Sequence, residues 1–224
     1  VVLDTSDLTP DASYTLTVQN VQDLYGNAIG SSSLTFKVRI VTYGEVIQSD
    51  GPIAYYRFEE TSGMVAKNYG TLGEQADGLW MSGAGAADSI EVEANSDAGP
   101  SPADGLLGFG NDNRAAAFTG SYDQFWVDTQ GQWLNGLGAF TLEYWVKPTN
   151  REGAGWSRVG IVGQNDAIEY GFINGESIQI WTPGGGALNT IYEFPDDEWH
   201  HIATIADGTQ IHNYFDGELM NSVS

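Results

Sequence analysis

Short runs of alternating apolar and polar residues, separated by glycine turns, dominate this sequence. At 34–40 and 140–146 every second residue is apolar, which is the pattern of a strand with one buried face. Further strand patterns occupy Ser13–Val21, Ala54–Phe58, Gln124–Val127, Ile178–Trp181, His201–Ile205 and Ile211–Phe215. The turn dipeptides are Asp50-Gly51, Asn135-Gly136, Asn174-Gly175, Asp207-Gly208 and Asp216-Gly217. Because no long segment has helical periodicity, the sequence predicts an all-β sandwich or jelly roll.

The chain is strongly acidic. It has 8 Lys and Arg against 30 Asp and Glu, a formal net charge of −22 at pH 7, and its last cationic residue is Arg158. Such a field repels nucleic acids and anionic membranes, and no run of about 18 apolar residues is present that could cross a bilayer. The acidity predicts a solvated surface suited to extracellular or salty surroundings, and it also supplies carboxylates of the kind that bind calcium.

The first 43 residues differ in pattern from the rest. Leu8–Ile40 contains a Tyr-Thr-Leu-Thr-Val strand, an Asp-Leu-Tyr-Gly-Asn turn and a Leu-Thr-Phe-Lys-Val strand. This order resembles the last strands of a bacterial Ig-like domain. The resemblance implies that residues 1–43 are the C-terminal part of an Ig-like β-sandwich, because three strands are too few to close one, and that residues 44–224 form a second domain.

Five ordered motifs after Gly51 carry a second resemblance. They are Ile53-Ala54-Tyr55-Tyr56-Arg57-Phe58, Ala115-Ala116-Ala117-Phe118-Thr119-Gly120, Phe140-Thr141-Leu142-Glu143-Tyr144-Trp145-Val146-Lys147-Pro148, Trp199-His200-His201-Ile202-Ala203 and Tyr214-Phe215-Asp216-Gly217. Their order is similar to that of the laminin-G-like (concanavalin A-like) jelly roll of large bacterial surface proteins. In that family further strands follow the last motif. The resemblance therefore implies that the closing strands of the 44–224 domain are missing, and that an open sheet edge pairs with neighbouring domains or subunits.

Cysteine is absent from the sequence, which excludes disulfides, thiolate metal sites and cysteine nucleophiles. Eukaryotic secreted domains of the laminin-G type usually carry disulfides, so the composition favours a bacterial source. One long connection, Gly83–Asn113, is rich in Gly, Ala, Ser, Asp and Pro. Such a segment is either a disordered insertion or a loop held by contacts or by a metal ion.

Catalytic constellations are lacking in the sequence. Only three histidines occur, none of them in zinc-binding spacing, and no Gly-x-Ser-x-Gly turn is present. Glycosidases of concanavalin A-like fold need paired carboxylates on one strand face, but the alternation neighbours of Glu143 are Thr141 and Trp145. We therefore predict no enzymatic activity.

The same alternation predicts which side chains form the core. In Trp199–Ile205 the odd-numbered residues share one face, so His201 is expected to be a packed residue that is hydrogen-bonded to backbone. By alternation and family position, Leu142, Tyr144, Trp199, Ala203 and Ile205 are predicted to be buried, and the resemblance implies that Trp145 is also part of the core.

The laminin-G resemblance also implies one structural calcium ion near the junction of early and late strands. By position, its ligands would be Asn68, Asp77 and Asp123. The alternative is that these residues are turn residues whose side chains cap local backbone.

Ligand recognition would need exposed aromatic rings beside hydrogen-bonding groups. Trp156 lies in a glycine-rich polar loop, and Trp181 opens the Thr-Pro-Gly-Gly-Gly loop, so these two are the predicted ligand-binding residues. The alternative for both is packing over the end of the sandwich.

Together these patterns favour a non-catalytic extracellular binding or adhesion module of a large multidomain surface protein, with a glycan or protein ligand. Two alternatives stay open. One is a carbohydrate-binding appendage of a polysaccharide-degrading enzyme, and the other is a structural spacer in a surface fibre. The fold alone does not choose among them, because this sandwich hosts many binding roles.

Overall fold

A computed structural model describes residues 12–28, 30–37, 39, 41–82, 88–89, 97–118, 125–129, 131–149, 151–152 and 158–224. The strands are β1 (Ser13–Val18), β2 (Ser32–Lys37), β3 (Val65–Ala66), β4 (Gly78–Ser82), β5 (Asp88–Ser89), β6 (Asp97–Ala98), β7 (Arg114–Ala115), β8 (Phe125–Asp128), β9 (Phe140–Val146), β10 (Val159–Gln164), β11 (Ile168–Asn174), β12 (Ser177–Thr182), β13 (Gly186–Ile191), β14 (His200–Ala206), β15 (Ile211–Phe215) and β16 (Glu218–Val223). Helix α1 spans Tyr43–Ser49, and two 3₁₀ turns span Gly73–Ala76 and Pro102–Asp104. The predicted all-β class is confirmed.

Two four-stranded antiparallel sheets form the main sandwich. The first sheet has the strand order β10-β11-β12-β13, and the second has the order β16-β15-β14-β9. Their inner faces enclose one apolar core, to which the largest buried contributions come from Tyr170, Phe172, Ile178, Ile180, Ile202 and Phe215. Removing these side chains from water is the main force that holds the sheets together.

The even-numbered residues of β14 lie on its inner face. The sequence predicted that the odd-numbered residues would lie there. Ile202 and Thr204 are fully buried, whereas Ala203 and Ile205 are only partly buried on the outer face. Directly opposed residues of an antiparallel pair share a face. Because Ile202 lies opposite Tyr144 and Thr204 opposite Leu142, the inward side chains of both strands are fixed together.

The predicted core is therefore corrected in part. Leu142 and Tyr144 pack against the sandwich core as expected. Ala203 and Ile205 face away from that core, and so does Trp145, which lies opposite His201. Trp199 is partly buried just before β14, and the Nζ atom of Lys147 lies 5.5 Å from its ring centroid.

The outer face of the second sheet is covered by an earlier part of the chain. The ring of Tyr43 lies 5.9 Å from Trp145 and 6.2 Å from His201, and Phe109 lies 5.3 Å from Trp145. A capping box starts helix α1, with Thr42 accepting from the Glu45 amide and Glu45 accepting from the Thr42 amide. Since both faces of β9 and β14 are covered, both carry apolar residues.

A third sheet lies earlier in the chain, where β4 pairs with β3, β5 and β8. Its small core centres on Trp80, which is completely buried and packs with Ala66, Phe58 and Val127. The described parts of the predicted long connection, 88–89 and 97–113, contain strands β5 and β6 and one 3₁₀ turn. Strand β5 pairs with β4, and β6 pairs with β7. Contacts with other strands therefore order these residues, so the alternative of a disordered insertion does not apply to them.

The N-terminal segment forms a hairpin of β1 and β2, in which Tyr14 and Phe36 are paired and their ring centroids lie 6.1 Å apart. The Ig-like assignment and the boundary between 1–43 and 44–224 stay predictions. Within the part of the chain that the structure describes, no helix is long and apolar enough to span a bilayer.

Candidate functional site

Asn68 and Asp77, two of the three predicted calcium ligands, are brought together beside the third sheet. Asn68 is only 4% exposed, and its side-chain oxygen accepts hydrogen bonds from the backbone N–H groups of Tyr55 at 2.7 Å and Gly70 at 2.9 Å. Its amide nitrogen donates to the carbonyl of Gly73 at 3.0 Å. Every hydrogen-bonding direction of the Asn68 oxygen is thus occupied by backbone, so this oxygen does not fit a role as a metal ligand.

Asp77 completes this arrangement by accepting a hydrogen bond from the backbone N–H of Asn68 at 2.8 Å. Across the described residues, no three His, Cys, Asp or Glu side chains are grouped closely enough to hold a metal ion. Asp123 lies outside the described residues. The turn alternative therefore accounts for Asn68, while calcium binding by Asp77 and Asp123 stays a prediction.

Trp181, a predicted ligand-binding residue, lies on β12 and faces away from the sandwich core. It is paired with Glu169 on one side and Ala187 on the other, and it is half-buried. Glu169 forms an ion pair with Arg158. Trp181 therefore lies on the outer face of the first sheet beside a charged pair. The other predicted ligand-binding residue, Trp156, lies outside the described residues.

A polar pocket that the sequence did not reveal opens between two distant segments. It has a volume of about 430 Å³ and is lined by Arg57, Glu59, Asp112 and Arg114. The guanidinium of Arg57 contacts the Glu59 carboxylate at 2.5 Å. This pocket gathers two of the eight cationic side chains of a chain that is otherwise strongly acidic.

An aromatic ring lies close to Arg57, one of the residues that line the polar pocket. The guanidinium carbon of Arg57 lies 5.8 Å from the ring centroid of Tyr69, and the Nζ atom of Lys67 lies 5.3 Å from the same ring. Tyr55 meets Tyr69 edge to face at 6.4 Å. Guanidinium groups donate in a fixed planar fork and carboxylates accept, so this wall can bind neighbouring hydroxyl groups in pairs. No local sequence signal could have indicated it, because its two halves come from distant segments.

Each of the three histidines has a carboxylate neighbour. His201 is partly buried on the outer face of the second sheet, and its Nε2 atom lies 3.5 Å from Glu143 rather than on backbone, which corrects the expected backbone bond. His200 is held by Asp216, with 2.7 Å between Nδ1 and the carboxylate. The first contact joins β14 to β9, and the second joins β14 to the turn after β15.

His212 has a serine neighbour that needs separate consideration. Its Nδ1 atom lies 2.8 Å from the hydroxyl of Ser222, and its Nε2 atom lies 3.9 Å from Asp207. The latter distance is too long for a hydrogen bond. Asp207 instead accepts from Thr209 and Gln210 in a tight turn, and these bonds lower its pKa to about 2. Ser222 lies on the flat strand β16 rather than on a sharp turn, so the group lacks the geometry of a hydrolytic triad.

Comparisons with known proteins agree with the sandwich. No curated protein and no solved structure matched the chain. One family model did match, described as the concanavalin A-like lectin/glucanases superfamily (Laminin_G_3), and it covers less than half of the chain. Such a match indicates a binding module. Residues 126–224, which contain both sheets of the sandwich from β9 to β16, thus match this superfamily, and their fold is a concanavalin A-like β-sandwich.

Proposed function

We propose that this chain is a non-catalytic extracellular module that binds a glycan, as part of a larger adhesive surface protein. The observation that carries the proposal is the polar pocket of Arg57, Glu59, Asp112 and Arg114 beside the ring of Tyr69. Sugars present many hydroxyl groups and an apolar ring face, which require donors, acceptors and an aromatic surface close together. The pocket supplies the donors and acceptors, and the ring of Tyr69 lies 5.8 Å from the guanidinium carbon of Arg57.

The balance of charge in the pocket favours a glycan over a simple ion. Two guanidinium groups face two carboxylates, so the lining has little net charge. An anion would be repelled by the carboxylates, and a cation by the guanidinium groups. A ligand rich in hydroxyl groups can donate to the carboxylates and accept from the arginines at once.

The setting of the module follows from its composition. A net charge of −22 keeps the chain soluble and disfavours contact with nucleic acids and anionic lipids. The absence of cysteine fits a bacterial surface protein. Calcium binding by Asp77 and Asp123 is part of the proposal. It is supported by the acidity of the chain and by the carboxylate of Asp77, one oxygen of which accepts the hydrogen bond from the Asn68 backbone N–H.

A glycan array probed with the full 224-residue chain tests this function. We expect selective binding that the Arg57→Gln variant weakens at least several-fold. The matched control is Arg39→Gln, because Arg39 is also paired with a glutamate, Glu45, but lies outside the pocket. Retention of binding in both variants, or the absence of any bound glycan, would contradict the proposal. Chromatography of the bound glycan after incubation checks for cleavage, which we do not expect.

A further inference from the structure

A second depression lies at the opening between the edges of the two main sheets. Here β16 of the second sheet approaches β13 of the first, and the Asn221 side chain donates to the carbonyl of Asn189 at 2.9 Å. The depression has a volume of about 340 Å³. Its lining combines three apolar side chains with three carboxylates: Phe194, Phe215 and Met220 with Glu193, Asp216 and Glu218. We call it the edge pocket.

The β15–β16 hairpin positions one wall of the edge pocket. Asp216 and Gly217 have φ values of +50° and +84°, which is the left-handed geometry of a two-residue hairpin turn. The turn places Phe215 directly opposite Glu218. The Asp216 carboxylate is then fixed by the His201 backbone N–H at 2.8 Å and by His200 Nδ1 at 2.7 Å.

The aromatic floor of the edge pocket is held equally firmly. Phe194 stacks on the imidazole of His200, with ring centroids 3.8 Å apart and planes 20° from parallel. Phe215 is almost completely buried, and its ring centroid lies 6.1 Å from that of Phe194. The floor is therefore formed by the partly exposed ring of Phe194, with the nearly buried Phe215 behind it, and the polarizable thioether of Met220 is added.

Of the three carboxylates of the edge pocket, only that of Asp216 contacts an imidazole, at His200 Nδ1. Residues 159–224 contain no lysine or arginine. Among the described residues, the carboxylates of Glu193 and Glu218 have no hydrogen-bond or ion-pair partner. The cation Arg151 is engaged elsewhere, with its Nε atom 2.8 Å from Asp196 and a terminal nitrogen 3.1 Å from the Tyr192 carbonyl.

We propose that the edge pocket binds an alkylammonium group, which is carried either by a lysine side chain of a partner or by a free amine. The carboxylates attract the ammonium, and the partly exposed ring of Phe194 attracts it further through its electron-rich surface. The apolar floor accommodates the methylene chain. An anion would be repelled, a metal ion would leave the rings unused, and a neutral apolar ligand would gain nothing from three carboxylates. This site is independent of the proposed glycan pocket.

Titration of the full chain by isothermal calorimetry at constant ionic strength, with NMR shifts to locate binding, tests the inference. The probes are butylammonium, butan-1-ol as the same alkyl chain without charge, and ammonium ion as the charge without the chain. We expect saturable binding of butylammonium only. Glu218→Gln, an exposed substitution, should weaken that binding several-fold, as should Phe194→Leu. The matched control Glu74→Gln, on the 3₁₀ turn at Gly73–Ala76, should leave it unchanged.

Equal binding of butan-1-ol would overturn the inference by showing a merely apolar depression. Equal binding of ammonium ion, or an equal effect of Glu218→Gln and Glu74→Gln, would overturn it by showing general counterion attraction. A further arm compares butylammonium with Nα-acetyl-lysine methylamide. Tighter binding of the lysine derivative supports a protein partner as the source of the ammonium, and equal binding supports a free amine.

Discussion

The hydroxyl of Thr204 lies 2.6 Å from the side-chain oxygen of Asn213, in the middle of an otherwise apolar sandwich core. Thr204 also lies 3.1 Å from the Tyr170 hydroxyl, and the Asn213 amide donates to Thr190 at 2.8 Å. Tyr170 and Thr190 belong to the first sheet, whereas Thr204 and Asn213 belong to the second. The network therefore connects the two sheets by directional bonds, which apolar packing alone does not provide.

Replacing Asn213 with alanine should lower the free energy of unfolding by about 2–3 kcal/mol. The change leaves buried hydroxyl groups of Thr190 and Thr204 with fewer partners and opens a small cavity. Urea unfolding followed by tryptophan fluorescence measures the loss. Asn221→Ala is the control, because Asn221 also bonds to the first sheet, at the Asn189 carbonyl, but is exposed on β16, so its loss should stay below about 1 kcal/mol. Equal losses for the two variants would show that the core network contributes nothing.

The Asn68→Asp variant distinguishes two roles for residue 68, which are hydrogen bonding to the backbone and binding of a metal ion. Aspartate is close in shape but cannot donate to the Gly73 carbonyl, and it places a charge where the side chain is buried. We expect a loss of roughly 2–3 kcal/mol that is the same in calcium and in chelator. Thermal unfolding in both conditions measures it. Recovery of stability by calcium alone would instead identify residue 68 as a metal ligand.

The two tryptophans Trp80 and Trp199 should differ strongly in their contribution to stability. Trp80 is completely buried, so Trp80→Ala should cost about 3–5 kcal/mol. Trp199 is partly buried beside the ammonium of Lys147, so Trp199→Ala should cost only about 1–2 kcal/mol. Chemical denaturation of both variants decides the order. A larger loss for Trp199→Ala than for Trp80→Ala would show that Trp199 is a core residue, as the sequence predicted.

The chain should lose stability above pH 10. Burial raises the pKa of Tyr56 to about 12 and that of Tyr170 to about 12, against 10.0 for an ordinary tyrosine. The neutral phenol is thus favoured in the folded state, so the stabilisation is complete below pH 10 and is lost as the pH rises from 10 to 12. Unfolding midpoints measured across this range should fall. In Tyr170→Phe the decline should be smaller, and an unchanged slope would contradict the assignment.

The alternation of apolar and polar residues predicted the positions of the strands better than it predicted which side of each strand faces the core. The predicted strands at 140–146 and 211–215 coincide with β9 and β15. In β14, however, both phases contain apolar residues, since Trp145 and His201 are covered by Tyr43 on the outer side. A two-residue period shows which residues share a face but cannot show which face is inner when both are covered.

The candidate sites were predictable only where they depend on local sequence. The proximity of Asn68 to Asp77 was expected from the family order, but the engagement of Asn68 with backbone depends on how the chain folds back near Tyr55 and Gly73. The polar pocket joins Arg57 to Arg114, and no pattern in one sequence reports such a contact. For the edge pocket, the sequence predicted only the Asp216-Gly217 turn that forms part of one wall.

The cover over the second sheet bears on how this sandwich could be exchanged between proteins. Strand β8, where the family match begins, pairs with β4 outside the matched residues, and Tyr43 and Phe109 shield Trp145. A gene segment encoding only residues 126–224 would carry an unpaired first strand and an uncovered apolar face into its new host. We therefore expect recombination to preserve folding only when the upstream residues from Tyr43 onward move together with the matched region.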